Sequence, residues 1–409
     1  MRIVRLIIVA FALTAAFAVV GKAACSDAGS PLGALIKVGN DDGRRVPLIL
    51  IHGVHQTRPE QAVDKLGTTW DAFMAMFNEN KALPLRYSVY QFQYCSDRAP
   101  VTEIAASLRD LIDKQLPDRP HVIVTHSMGG IVATSYMGEA THQSGNWKGQ
   151  KGGDTTLGVI TLAAPHHGTP GANDNATLKK FIADKYERFY DALQRFYWKA
   201  GADDESGAPP ASTRVNRSDL RWDNYDGKLD AFPKDVNTPL AKRDKAFEPY
   251  ASKLIAYGGA IDAISSPVEI ATLLFGAGLG GDKAVSRHNG LAFANVGIVT
   301  ALGRKFGEAD GMVPMSSSLF CKTPSRTVDG KFTICTTLSR VRRFENGGTG
   351  EVPIEQLPDK NTLSILRSTN GYDHLDMLVN PDVLKYVVND LLTMTAAPGV
   401  KVPKPLIRP

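Results

Sequence analysis

Ser127 stands at the centre of His121-Val122-Ile123-Val124-Thr125-His126-Ser127-Met128-Gly129-Gly130, an apolar run that ends in a tight turn and continues into a glycine-containing, helix-like segment. A strand-to-helix elbow of this kind exposes a serine hydroxyl on a strained backbone. Such a hydroxyl is a weak nucleophile. It needs a base, an acid to orient the base, and donors for the oxyanion of an acyl-transfer intermediate. Position 125 is threonine, where a small glycine is usual in such turns. Gly129 keeps the glycine two residues after the serine, and Gly130 extends the small surface.

Where an elbow carries the nucleophile, the acid and then the base follow it in the chain. Of nine histidines, only His288 and His374 lie well beyond Ser127 and the segments after it. His374 follows the turn Gly371-Tyr372-Asp373 and precedes a helical apolar pattern, which makes it the candidate base. His288, beside Asn289-Gly290, reads as a solvated loop residue. Asp310, in Gly307-Glu308-Ala309-Asp310-Gly311-Met312-Val313-Pro314, is the candidate acid, able to accept from the imidazole Nδ1–H. Its alternative role is that of an ordinary Asp-Gly turn residue, and Glu308 is the second candidate acid. The backbone N–H of Met128, just after the serine, and that of Val54, in the loop His52-Gly53-Val54, are the candidate oxyanion donors. His52 reads as a prop for that loop. His126 and the pair His166-His167 read as structural.

These groups need a rigid scaffold. Val46–Ile51 is a near-continuous apolar run, as in a strand buried on both faces. Residues 69–80 read as helix, and Tyr87–Phe92 as an aromatic-rich strand. Val101–Leu116 has Ile104, Leu108, Leu111 and Ile112 at helical spacing. The elbow strand and a helix to about Gly138 follow, then a polar surface loop at 141–155 and a buried strand over Leu157–Ala164. This alternation predicts a doubly wound parallel sheet. Residues 24–45 read as an extended leader. Residues 171–250, charged and aromatic, read as an insertion over the sheet, and Lys253–Gly259 as a returning strand. The apolar, glycine-rich stretch 264–303 reads either as a buried helix or as a mobile cap over an apolar cleft.

The 409 residues suffice for one large domain with insertions or for two domains. Arg2 and Arg5 precede the apolar run Leu6–Val20, and Gly21-Lys22-Ala23 offers a small-residue cleavage site. Residues 1–23 therefore read as an export signal, with an uncleaved anchor as the alternative. Ala23-Ala24-Cys25 faintly resembles a lipidation site. That segment carries Arg2, Arg5 and Lys22 and no acid, so its removal takes the formal charge from +5 to +2. Such a balance gives no electrostatic case for a nucleic-acid partner. Four cysteines in an exported chain suggest disulfides, with Cys321–Cys335 the local pairing and Cys25–Cys95 the remaining one.

Taken together, Ile51-His52-Gly53-Val54, His126-Ser127-Met128-Gly129-Gly130, Ala164-Pro165-His166-His167-Gly168-Thr169-Pro170, Tyr257-Gly258-Gly259, Asp310-Gly311-Met312-Val313-Pro314 and His374-Leu375-Asp376 resemble the bacterial true lipases, the secreted triacylglycerol lipases of the Pseudomonas and Burkholderia type. The resemblance spans most of the mature chain. It implies an α/β-hydrolase fold, a mostly parallel central sheet flanked by helices with cap segments inserted at about 171–250 and 264–303. It also implies a triad of Ser127, Asp310 and His374, oxyanion donors at Val54 and Met128, and a lipid or other ester as small-molecule substrate. A monomer in transient contact with a lipid–water interface, secreted or periplasmic, is expected, with no cofactor required by the chemistry. The family's structural calcium site is matched here only by Asp376, with Asn380 at a side-chain ligand position. Thr125 and the long stretches 171–250 and 321–370 depart from the compact members. Acyl transfer, polyester depolymerisation and short-chain ester hydrolysis use the same triad, and a non-catalytic binding protein of the same fold is the reading from another class.

Overall fold

The computed structural model describes residues 31–54, 69–96, 99–169, 217–220, 239–261, 309–321, 326–328, 332–334, 340–346, 350–353, 363–368 and 372–394. The expectations for the export segment, Cys25, Cys335, His288, Glu308, most of 171–250 and all of 264–303 lie outside them. Among the described residues no helix is long and apolar enough to cross a membrane.

The strands are β1 (Gly33–Val38), β2 (Val46–Ile51), β3 (Tyr87–Tyr94), β4 (His121–His126), β5 (Thr156–Leu162), β6 (Leu254–Gly259), β7 (Arg326–Val328), β8 (Phe332–Ile334), β9 (Arg340–Asn346), β10 (Gly350–Pro353) and β11 (Leu363–Ser368). Nine form one sheet in the order β1-β3-β2-β4-β5-β6-β9-β11-β10, and β7 and β8 pair separately. The seven strands from β3 to β11 run parallel, with antiparallel edges at β1 and β10. The longer helices are α1 (Asp71–Glu79), α2 (Val101–Gln115), α3 (Met128–Gly138), α4 (Pro239–Phe247) and α5 (Pro381–Thr393).

Both faces of the sheet are covered, which explains the continuous apolar runs. Along β2, Ile49 and Ile51 join the core cluster with α2 and α3, whereas Leu48 and Leu50 join the opposite one with α1 and α5. The stripe Ile104, Leu108 and Ile112 is the buried face of α2. Helix α3 is buried along its whole length, so its sequence shows no polar face. The described end of 171–250 packs onto this body, with Leu240 and Phe247 of α4 in the α3-side cluster.

Three stretches differ from the sequence reading. The extended leader contains β1, whose Gly33 and Leu35 are buried at the sheet edge. The stretch 141–155 is no plain surface loop. His142 and Thr155 are buried, and residues 152–155 form a helical turn. Finally, 340–368 adds three strands to the sheet, none of them anticipated. The sequence of β9, Arg-Val-Arg-Arg-Phe-Glu-Asn, hides a strand behind its charges. Arg342 holds the buried Asp390 of α5 by two 2.6 Å hydrogen bonds, so a paired arginine stands where an apolar residue would mark the pattern.

Candidate active site

The chain runs from β2 to β3 on one side and returns to β4 on the other, so the strand order reverses between β2 and β4. In open parallel sheets the crevice outside the strand carboxyl ends at such a reversal is where ligands bind. The loop His52-Gly53-Val54 leaves the end of β2, and Ser127 leaves the end of β4, so both reach that crevice.

Ser127 has φ 54° and ψ −132°, a rarely populated backbone conformation for a residue with a side chain. Its N–H donates to the Leu162 carbonyl at 2.8 Å, and Gly130 N–H donates to the Ser127 carbonyl at 2.9 Å. The turn closes only because its neighbours are small. A Cβ on Gly129 would lie 2.4 Å from the His52 carbonyl oxygen. A Cβ on Gly130 would lie 2.3 Å from the Ala164 Cβ and 3.3 Å from Thr125 Oγ1. Thr125 is thus accommodated at the usual glycine position because Gly130 faces it without a side chain.

His374 Nε2 lies 2.9 Å from Ser127 Oγ. His374 Nδ1 lies 2.8 Å from Asp310 Oδ2, and a carboxylate accepts, so Nδ1 carries the proton and Nε2 is left to receive one from serine. The other oxygen of Asp310 accepts from the N–H groups of Met312 and Val313 at 2.9 and 2.7 Å, which fixes the carboxylate plane. The His374 N–H donates to the Asp310 carbonyl at 2.9 Å. Asp373 Oδ1 accepts from Leu375 and Asp376 N–H, both at 2.8 Å, and so pins the turn that carries His374. All three side chains are buried, with Ser127 the most accessible at 9%. The structure therefore brings together Ser127, His374 and Asp310, which the sequence places 247 and 64 residues apart pairwise.

The two candidate oxyanion donors flank the serine. Met128 opens α3, where the first N–H groups have no partner within the helix. Gly53 lies against Ser127: a Cβ there would sit 2.6 Å from the Ser127 Cβ. His52 props the loop. Its Nε2 accepts from Tyr94 N–H at 3.0 Å, so the proton sits on Nδ1, which donates to the Gly53 carbonyl at 2.7 Å. Tyr94, whose part in this site the sequence reading missed, stacks on the His52 ring at 4.2 Å. Its hydroxyl donates to the His52 carbonyl at 2.8 Å, with the Gly53 carbonyl at 3.3 Å. In a trans peptide the C=O and N–H point in opposite directions. Pinning the Gly53 carbonyl towards His52 and Tyr94 therefore turns the Val54 N–H the other way. The only sequence signal was an aromatic at the end of a strand.

The loop after β5 braces the segment that follows Asp310. His167 N–H donates to Ser317 Oγ at 2.9 Å, Ser317 Oγ donates to the Gly168 carbonyl at 2.8 Å, and Thr169 Oγ1 donates to the Met312 carbonyl. His167 also lies 2.6 Å from the Cys321 carbonyl through Nε2 and 2.9 Å from Asp244 through Nδ1. Burial, with His167 and Arg243 nearby, holds the His166 pKa well below the ordinary imidazole range. His166 thus serves as a neutral packing residue. Cys95 and Cys321 are both disulfide-bonded.

The two residues named for the calcium expectation both accept backbone hydrogen bonds. Asp376 Oδ2 accepts from Asp373 N–H at 3.2 Å, and the Asn380 side chain caps α5 by accepting from Asp382 N–H at 2.9 Å. Among the described residues no three His, Cys, Asp or Glu side chains are grouped so as to hold a metal.

A reversing parallel sheet with a strained serine elbow, a late histidine and a preceding aspartate is the layout of the α/β hydrolases. The sequence pattern of the Alpha/beta hydrolase family matches residues 48–302, and the chain belongs to that family. Among solved structures the chain is similar to the mature Bacillus licheniformis lipase BlEst2, at 16% identity and TM-score 0.41, over 89% of this chain and 100% of that one. It is also similar to Staphylococcus hyicus lipase, at 14% identity and TM-score 0.40, over 87% and 97% of the two chains. A third is EstA from Clostridium botulinum, at 12% identity and TM-score 0.41, over 87% and 88%. No curated protein sequence matches.

Proposed function

We propose that this chain is an exported serine hydrolase of carboxylic esters, of lipase or esterase type, acting on acyl-glycerols or other lipid esters. The observation that carries the reading is His374, placed 2.9 Å from Ser127 Oγ and 2.8 Å from Asp310 Oδ2. His374 Nε2 takes the serine proton as Oγ attacks the ester carbonyl. The tetrahedral oxyanion is held by the N–H groups of Met128 and Val54. The imidazolium, stabilised by Asp310, returns its proton to the departing alcohol and leaves an acyl-serine. Water, activated by the same histidine, releases the acid and restores the serine. The steps draw on no cofactor.

Similarity to the Pseudomonas and Burkholderia lipases supports lipid esters as the substrate class, met by a monomer at a lipid–water interface. The N-terminal segment and the disulfide-bonded Cys95 and Cys321 support export, with Cys25–Cys95 and Cys321–Cys335 as the pairings.

The test is hydrolysis of p-nitrophenyl esters from short to long acyl chains by the wild type and Ser127→Ala. Activity present in the first and abolished in the second is expected, and the chain-length optimum separates lipase from esterase. A folded wild type inactive on every ester overturns the reading. Ester product formed with an added alcohol acceptor, in place of free acid, makes the chain an acyltransferase instead.

A further inference from the structure

We propose that His126, the residue before the nucleophile, is a positioning residue that holds the base in its working orientation. This rests on reading Ser127, His374 and Asp310 as the catalytic groups. His126 Nε2 lies 2.8 Å from the backbone carbonyl of His374. A carbonyl can only accept, so His126 Nε2 carries a proton and donates it. The ring is buried and lies 4.8 Å from the His374 ring, tilted by 50°.

The geometry explains why this bond bears on catalysis. Asp310 anchors His374 at two points, its own N–H to the Asp310 carbonyl and Nδ1 to Oδ2, while Asp373 pins the N–H groups of the turn that follows. Both act on the amide and ring side of the residue. Neither of these two contacts holds the His374 carbonyl, and a turn of that peptide swings Nε2 away from the serine. The bond from His126 holds the opposite end, the carbonyl. It also originates one peptide bond from Ser127, on the last residue of β4, which is hydrogen-bonded to strands on both sides. Nucleophile and base are thereby referred to one rigid strand end, although they lie 247 residues apart. Misplacement of reacting groups by about 1 Å can lower a rate by roughly 10²-fold, so one bond at this place has leverage.

The test compares the wild type with His126→Gln, His126→Asn and His126→Phe. Glutamine places an amide N–H at the reach of Nε2, asparagine falls short of it, and phenylalanine fills the volume without a donor. The readouts are kcat and KM on p-nitrophenyl butyrate, the rate of labelling by a fluorophosphonate, and the downfield NMR resonance of the proton between His374 and Asp310. In His126→Phe, kcat and labelling should fall by about 10- to 100-fold, with KM changed by less than about twofold and the resonance broadened or lost. His126→Gln should recover most of the rate and the resonance. Should the Phe variant fail to fold, Gln against Asn decides, with Gln near the wild type and Asn impaired. Equal rates in Gln and Asn, or a folded Phe variant with wild-type kcat and resonance, overturn the proposal. A wild type that fluorophosphonate does not label overturns the catalytic reading itself, and the positioning role with it.

Discussion

Strand β4 carries an Asp–His–hydroxyl arrangement at each end, and the two differ in what their hydrogen bonds leave open. At its carboxyl end stand Ser127, His374 and Asp310. Beside its amino end, His142 Nδ1 lies 2.5 Å from Asp113, and Nε2 lies 3.0 Å from Thr155 Oγ1 and 3.3 Å from Tyr136 Oη. Distances alone do not separate the two. Proton placement does. The Thr155 hydroxyl donates to the Gly152 carbonyl at 3.0 Å, so its single hydrogen is committed and it accepts from His142 Nε2–H. His142 Nε2 is thus taken up by Thr155 and Tyr136, and Nδ1 by Asp113. His121 completes the array. Its Nδ1 donates to the Arg119 carbonyl at 3.3 Å, and its Nε2 accepts from Tyr136 Oη–H at 3.2 Å. The amino end is a closed, satisfied brace. The carboxyl end keeps an open acceptor at His374 Nε2, beside a hydroxyl lifted by a strained elbow.

The sharpest way to break this contrast is to remove the hydroxyl at each end in turn. Ser127→Ala should lower kcat by on the order of 10⁴–10⁶-fold, the range for removing a member of such a triad. Thr155→Val should leave kcat within about twofold and lower unfolding stability by about 1 kcal/mol, the net worth of one hydrogen bond. Ester hydrolysis and urea unfolding measure the two. A large loss of kcat in Thr155→Val would mean that the two ends of β4 are coupled and that the brace is no separate unit.

The next effect is confined to the carboxyl end. Tyr94→Phe keeps the ring stacked on His52 and deletes the hydroxyl that reaches the His52 and Gly53 carbonyls. The Val54 N–H then loses part of its aim. We expect kcat to fall about tenfold, less than the 10²–10³ for outright loss of an oxyanion donor, with KM nearly unchanged. Steady-state kinetics on a soluble ester check this. An unchanged kcat would show that His52 alone orients the loop.

The same contrast explains what could be read from sequence. Strand β2 matches its apolar run residue for residue, and α3 ends at Gly138 as expected, because each is buried on all sides and leaves no other pattern. Ser127, Asp310 and His374 were legible because each sits in a local turn with its own signature and the three come in a fixed order. The brace was not legible. Its members lie in stretches read as helix, strand and surface loop, and they meet only after folding. Tyr94 was hidden for the same reason, since its partners are 41 and 42 residues away. Strand β9 was hidden by its arginines, which only the buried Asp390 accounts for.

The last prediction leaves catalysis alone and sharpens the comparison through pH. Burial lowers the His121 pKa from 6.5 to about 3, and His142 and Lys253 nearby push it the same way, against the hydrogen bond to the Arg119 carbonyl. In the unfolded chain the ring titrates at its ordinary value. Between those two values the unfolded chain therefore binds a proton that the native protein does not, and native stability falls as pH falls. The slope from this one ring is about 1.4 kcal/mol per pH unit. His166, lowered well below the same ordinary value, adds a loss of the same sign. In His121→Gln the slope of unfolding free energy against pH should flatten by roughly one proton between about pH 5 and 6, with His166 still contributing. Activity at pH 7 should stay near the wild-type value, since the ring lies at the amino end of β4, away from Ser127. Urea unfolding at a series of pH values measures the slope. A slope unchanged by His121→Gln would mean that acid reaches the fold through another group, and that the amino-end brace tolerates a protonated His121.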